Sequence, residues 1–115
     1  MKVLFHPDRE DIDLSSVLYA LSDPLRLAVV SQLHCTDERS CGEFDVPIAK
    51  STLSHHVRTL REAGVVRVRS VSTQRLISLR SEDLEQRFPG VLESVLKAYE
   101  ASGEKKARGA ADPAH

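Results

Sequence analysis

No run in this sequence approaches the roughly 18 apolar residues that a membrane span needs, so no transmembrane helix is expected. The opening residues MKVLFHPDRED lack the apolar stretch of a secretory signal, and a cytoplasmic location follows as the expectation. Cysteine is scarce: two in 115 residues do not make a disulfide framework. No acid, base and nucleophile recur together at a usable spacing, and the chain is short for a substrate pocket, so an enzyme is not expected. An excess of one charge is also missing, the formal net charge being −1.

The length fits one domain, of a size that often gains stability by dimerising. An apolar fraction of 41% with 29% charged residues is ordinary globular composition. The small net charge hides an uneven distribution. Residues 50–80 contain Lys50, Arg58, Arg61, Arg67, Arg69, Arg75 and Arg80 against one acid, Glu62, so the segment carries +6 and the rest of the chain −7. A basic module inside an acidic chain suits a polyanion. Charge alone leaves a merely solvated face equally open, and the motif within the segment decides between them.

There is no internal repeat and no dividing linker. Residues 1–10 read as an extended arm, because His6-Pro7 disfavours helix. Residues 11–101 read as the folded domain and 102–115, rich in Gly, Ala and Lys, as a disordered tail. From Asp13, the run DLSSVLYALS puts Leu14, Val17, Leu18 and Leu21 on one helical stripe. Asp23-Pro24 reads as an N-cap followed by proline at the first position of a second helix, PLRLAVVSQLHC, with Leu27, Val30 and Leu33 inward. Arg26 reads as structural, pairing with an acid or a helix end. Residues 36–40 read as a loop and Cys41 to Phe44 as a short helix. A longer helix follows, with Ser51 as its N-cap and Gly64 just past its end. VVRVRSV reads as a strand, Ser72-Thr73-Gln74 as a turn and RLISL as the returning strand. Ser81 is expected to cap a last helical region, with Glu82 and Asp83 in its first turn. Phe88-Pro89-Gly90 interrupts that region, and beyond it Leu92, Val95, Leu96 and Tyr99 form another stripe. Three helices followed by a hairpin is the plan of a winged helix: mainly α with a small β-hairpin.

At about 100° per residue, Leu53, Val57 and Leu60 define the buried side of the helix from Ser51. His55, Arg58, Thr59 and Glu62 lie opposite, Thr52 and Ser54 flank the exposed first turn, and His56 sits nearer the buried edge. Hydroxyls, an imidazole and an arginine at that end can hydrogen-bond base edges and phosphates. The free N–H groups of the first turn suit phosphate as well. On the following strand Arg67 and Arg69 share a face, and Arg75 stands beside the hairpin tip, where it can reach the DNA backbone. The adjacent histidines point about 100° apart and do not chelate together. No metal and no cofactor is assigned.

The stretches ALSDPLRLAVVSQL and KSTLSHHVRTLREAGVVRVR, two separated motifs in order, resemble the ArsR family of bacterial winged-helix repressors over residues 14–98. The resemblance implies a homodimer on a promoter inverted repeat, released when an inducer is sensed. It also implies that Ser51, Thr52, Ser54, His55 and Arg58 match the family's DNA-contacting positions. The stripes Leu14, Val17, Leu18, Leu21 and Leu92, Val95, Leu96, Tyr99 both exceed what one small core needs, and each is expected to form part of the two-fold interface.

Where many relatives carry a Cys-x-Cys motif, this chain has SCGEFD, and residues 81–101 contain no histidine, so both usual metal sites look absent. Cys35 and Cys41 remain. Five intervening residues allow, without requiring, the Cα separation of roughly 4.4–6.8 Å that a disulfide needs. A helix N-terminus and Arg39 beside Cys41 both favour its thiolate. The region also resembles redox-responsive members of the family that use two cysteines there. Against this stands the reading of Cys35 as a small core residue and Cys41 as a chance surface thiol. A metal- or small-ligand-responsive repressor, or a winged helix used only for protein contacts, are the alternatives.

Overall fold

The computed structural model describes residues 4–103; most of the expected tail, 104–115, lies outside the described residues. The described residues form five α-helices and a three-stranded antiparallel sheet: α1 Leu14–Ala20, α2 Pro24–His34, β1 Arg39–Ser40, α3 Lys50–Ala63, β2 Val66–Val71, β3 Gln74–Leu79, α4 Ser81–Arg87 and α5 Val91–Ala101. Single 3-10 turns at Arg9–Asp11 and Cys41–Glu43 precede α1 and follow β1. This is the winged helix plan. None of the described helices is long and apolar enough to cross a membrane.

Helix α2 starts where the sequence places it. The Asp23 carboxylate accepts from the N–H groups of Leu25 and Arg26 at 2.8 and 3.1 Å, and Pro24 occupies the first position. Those bonds outweigh the upward push of burial and hold the Asp23 carboxyl below its ordinary value, with the charge of Arg26 helping. Arg26 closes the helix before it: its Nε donates to the Ala20 carbonyl at 2.7 Å and its Nη2 to Tyr19 O at 3.4 Å. A buried guanidinium is thereby matched to carbonyls that the end of α1 leaves without intrahelical partners.

The core is one cluster drawn from every helix and from the inner face of the sheet. Ile12, Leu33, Leu60, Ile77 and Leu84 are essentially inaccessible to solvent. Burying a side chain of this kind is worth about 1.5–3 kcal/mol. Helix α3 lays Leu53, Val57, Leu60 and Ala63 into this core and packs on α1, α2 and β2. It ends at Gly64, whose φ of 89° is left-handed, and β2 leaves directly from there. The two wing strands pair from Val66↔Leu79 to Val71↔Gln74, joined by Ser72 and Thr73, with Ser72 at φ 58°. A two-residue hairpin turn needs positive φ at its first central position in this form. Gln74, expected in the turn, belongs to β3.

Three further expectations are corrected. Ser51 does not cap α3: Ala49 holds the cap position and Ser51 lies one residue inside the helix. Ser81 is the first residue of α4, not its cap, which is Arg80. The loop at 36–40 ends in strand β1, which pairs Arg39↔Ile77 and Ser40↔Leu76, so the sheet order is β1-β3-β2. The short helix expected after it is present as the 3-10 turn Cys41–Glu43, held where the Ser40 N–H donates to Glu43 Oε1 at 2.8 Å.

The two apolar stripes do not stand clear of the protomer's own core. Val17, Leu21, Leu92, Leu96 and Tyr99 are buried within the single chain, and Val95 is half-buried. Only Leu14 and Leu18, 41% and 45% exposed, remain on the surface from the first stripe. The arm is not free either: the segment from Leu4 runs extended along the wing to the turn at Arg9–Asp11.

Candidate nucleic-acid interface

An amphipathic helix with Leu53, Val57 and Leu60 pinned in the core must turn its other face outward. Ser51, Thr52, Ser54, His55 and Arg58 are all exposed there. The Thr59 hydroxyl turns back to the His55 carbonyl at 3.3 Å. His56 is half-buried, and its Nδ1 lies 3.2 Å from Arg26 Nη1. Guanidinium only donates, so this nitrogen accepts and the imidazole proton sits on Nε2. Arg26 thus ties the recognition helix to α1 and α2.

The hairpin rises beside α3 and leaves a groove of about 330 Å³ between them. Ser51, Ser54, His55, Arg58 and Arg61 line it from the helix, Arg75 lines it from the wing, and Val57, Val68 and Ile77 contribute apolar walls. Expected residues Ser51, Ser54, His55, Arg58 and Arg75 therefore converge. Thr52 is exposed outside the groove. Arg67 lines a different pocket, on the arm side of the wing. Arg61, not among the contact residues expected from the sequence, also lines the groove; its place there depends on how the wing returns, and helical phase alone does not reveal it.

The charges in the basic segment are not equally available. Arg80 is buried and bonds Asp83 at 2.8 Å. Arg67 approaches the same carboxylate at 3.7 Å. Burial pushes Asp83 up, but the hydrogen bonds from Arg9 and Arg80 outweigh it and hold the carboxyl below its ordinary value. Arg69 makes two bonds to Glu38, at 2.7 and 2.9 Å, which lower the Glu38 carboxyl. Arg58 reaches Glu62 one helical turn on, at 3.2 Å. Among the described residues Lys50, Arg61 and Arg75 have no acidic partner, and Arg61 donates instead to the Phe5 carbonyl. Solvent keeps exposed pairs weak, so a phosphate can replace Glu38 or Glu62 as the partner of Arg69 or Arg58.

Both cysteines are free thiols, and their placement reverses one expectation: Cys35, the candidate core residue, is exposed at the end of α2, while Cys41 is half-buried against the core. Cys41 also lines the groove with the α3 side chains. Arg39 is directed elsewhere, donating to the Glu43 carbonyl at 3.0 Å and to Gln32 Oε1. A second groove, of about 620 Å³, lies between the end of α2 and α5, lined by His34, Glu93, Leu96, Lys97, Glu100 and Ala101.

Comparison with known proteins agrees with this geometry. A family model described as a helix-turn-helix domain matches residues 21–69. The chain is 39% identical over 84 residues to an uncharacterized HTH-type transcriptional regulator, YceK, of Bacillus subtilis (strain 168), covering 70% of this chain and 84% of that protein. It is 31% identical over 74 residues to the arsenical resistance operon repressor of Staphylococcus xylosus, covering 64% and 71% of the two. Among solved structures, the transcriptional repressor BigR from Xylella fastidiosa superposes with a TM-score of 0.59 at 28% identity, over 83% of this chain and 96% of that one.

Proposed function

The chain belongs to the ArsR family of winged helix-turn-helix transcriptional regulators, and from that premise we propose a homodimeric repressor that reads a promoter inverted repeat with α3 and its wing, and that leaves DNA when Cys35 and Cys41 are oxidised. As a member of that family it is a DNA-binding regulator and not an enzyme. The observation that carries the proposed mode of binding is the groove where Ser51, Ser54, His55, Arg58 and Arg61 face Arg75. Its polar helix face has the donors that read base edges in a major groove, and the wing arginine supplies a phosphate contact beside it. Thr52, Arg67 and Arg69 extend that surface to either side. A two-fold partner places a second α3 on the next half-site, about one helical turn away. Leu14 and Leu18 support α1 as the dimer face, and Val95 supports α5, since these apolar side chains are not fully covered by their own chain.

The position of Cys41 supports the thiol switch. It sits in the wall of the DNA groove, and Cys35 closes the helix that supports that wall. Peroxide takes two electrons and two protons from the two thiols, forming one S–S bond and two waters. That bond restrains the 3-10 turn ahead of α3. A coupling of roughly 1–3 kcal/mol suffices to change affinity about 5–150-fold. Gel-shift titrations of wild type, Cys35→Ser and Cys41→Ser, with and without peroxide or diamide, test it. Oxidant should release only the wild type. Equal DNA binding by oxidised and reduced wild type removes the thiol switch and turns attention to a small ligand in the groove beside α5.

A further inference from the structure

We propose that His6 is a positioning residue that latches the N-terminal arm onto the outer edge of the wing, and that it does so only as a neutral imidazole. The inference rests on the DNA-binding reading of the wing. Among the described residues strand β2 pairs with β3 on one side only, which leaves its other side as a sheet edge. The Val68 N–H points to that edge and donates to His6 Nε2 at 3.0 Å. A backbone N–H has no acceptor capacity, so Nε2 must offer its lone pair. Val68 lies between Arg67 and Arg69, so the latch holds the wing backbone between two of its arginines.

Neighbouring arm residues hold on each side of His6. The Phe5 carbonyl accepts from Arg61 Nη1 of α3. The Pro7 carbonyl accepts from Arg80 Nη1, at the junction of β3 and α4, at 2.8 Å. Arg9 bonds Asp83 of α4 at 2.7 Å. The arm is therefore a strap across recognition helix, wing and α4, and it holds Arg61, a groove residue, by its guanidinium.

The charges around His6 oppose a proton. Arg67 of β2, Arg61 of α3 and Arg80 before α4 surround it. The acids nearby are Asp83 of α4 and Asp8 and Glu10 of the arm, with Arg9 between them. Asp83 is already engaged by Arg9, Arg80 and Arg67. Burial first, then Arg67, and after them Arg61 and Arg80, hold the His6 imidazole below its ordinary value against the favourable Leu4 backbone. Because the docked arm binds the proton less well than the free arm, docking is complete above the ordinary histidine value of about 6.5. It is lost as pH falls through the lower docked value.

The experiment uses full-length protein as wild type, His6→Gln and His6→Ala, between pH 8 and pH 5.5. Glutamine keeps an acceptor that does not titrate. Two readouts are taken: the Val68 amide resonance in free protein, and affinity for promoter DNA. In wild type the Val68 resonance should titrate by one proton, and in His6→Gln it should not. At pH 8 the two proteins should bind DNA alike and His6→Ala more weakly. At pH 5.5 wild type should fall below His6→Gln, by up to about twelvefold, the upper net worth of one neutral hydrogen bond. Both proteins share the same recognition helix, so its own response to pH cancels in the ratio. A Val68 resonance that ignores pH in wild type, a constant affinity ratio, or His6→Gln as weak as His6→Ala at pH 8 overturns the latch. Absence of DNA binding at every pH refutes the reading of the wing instead, and leaves the Val68 titration as the test of docking.

Discussion

Replacing Gly64 by alanine perturbs the joint between the recognition helix and the wing. Gly64 has φ 89°, and its N–H and that of Val65 close the end of α3 on the carbonyls of Arg61 and Leu60 at 3.1 and 2.9 Å. A Cβ there costs roughly 1–2 kcal/mol for the left-handed conformation alone. It also meets Ile12, with Cγ1 at 2.6 Å, Cδ1 at 2.8 Å and Cγ2 at 3.2 Å. Ile12 is 1% exposed and has no solvent to retreat into. Overpacking of this kind adds about 1–3 kcal/mol. The sum, about 2–5 kcal/mol, is a large part of the 5–15 kcal/mol that holds a typical domain together. In urea, with slopes of about 1–3 kcal/mol/M, the midpoint should fall by about 0.7–5 M at fixed protein concentration. A double-mutant cycle with Ile12→Ala separates the two parts, because removing the clash leaves the backbone cost in place. The expected coupling is about 1–3 kcal/mol. A midpoint shift under about 0.3 M, with no coupling to Ile12, refutes the idea that this joint is rigidly packed.

His55→Ala and Arg58→Ala should each cost about 1–3 kcal/mol in operator affinity, with thermal unfolding followed by circular dichroism changing little, since both side chains point away from the core. Arg75→Ala should weaken binding to any duplex and reduce the slope of log affinity against log salt by about one, measured by anisotropy over a salt series. The Asp83 carboxyl lies below its ordinary value when folded. Its contribution is therefore present above the ordinary carboxylate range and lost as pH falls through the folded value. Asp83→Asn should separate from wild type in urea midpoint at pH 7 and converge with it in strong acid; an equal gap at both pH values contradicts the assignment.

Local chemistry made much of the fold legible in the sequence. Asp23-Pro24 marks the start of α2, and Gly64 the end of α3, because each meets a backbone requirement set within a few residues. Leu53, Val57 and Leu60 identify the buried face of α3 because its period is regular over four turns. Features that depend on distant segments were not legible. Strand β1 is two residues long and exists through its pairing with β3. The arm docks partly through the carbonyls of Phe5 and Pro7, which any side chain would leave in place. Arg69 meets Glu38, 31 positions away, and no spacing announces that pair. Val17 and Leu21 are buried within their own chain, and a helical pattern tells which residues share a face, not whether that face meets its own chain or another. Ser51 is a good capping residue type, yet the helix begins one residue earlier.

The claim that this groove reads a symmetric DNA site is tested most directly by selection from a random duplex pool. The account predicts enrichment of an inverted repeat whose half-sites lie about one helical turn apart, with the enrichment weakened by Arg58→Ala. A pool that stays random after repeated rounds with well-folded protein contradicts it, and leaves a winged helix that serves protein contacts.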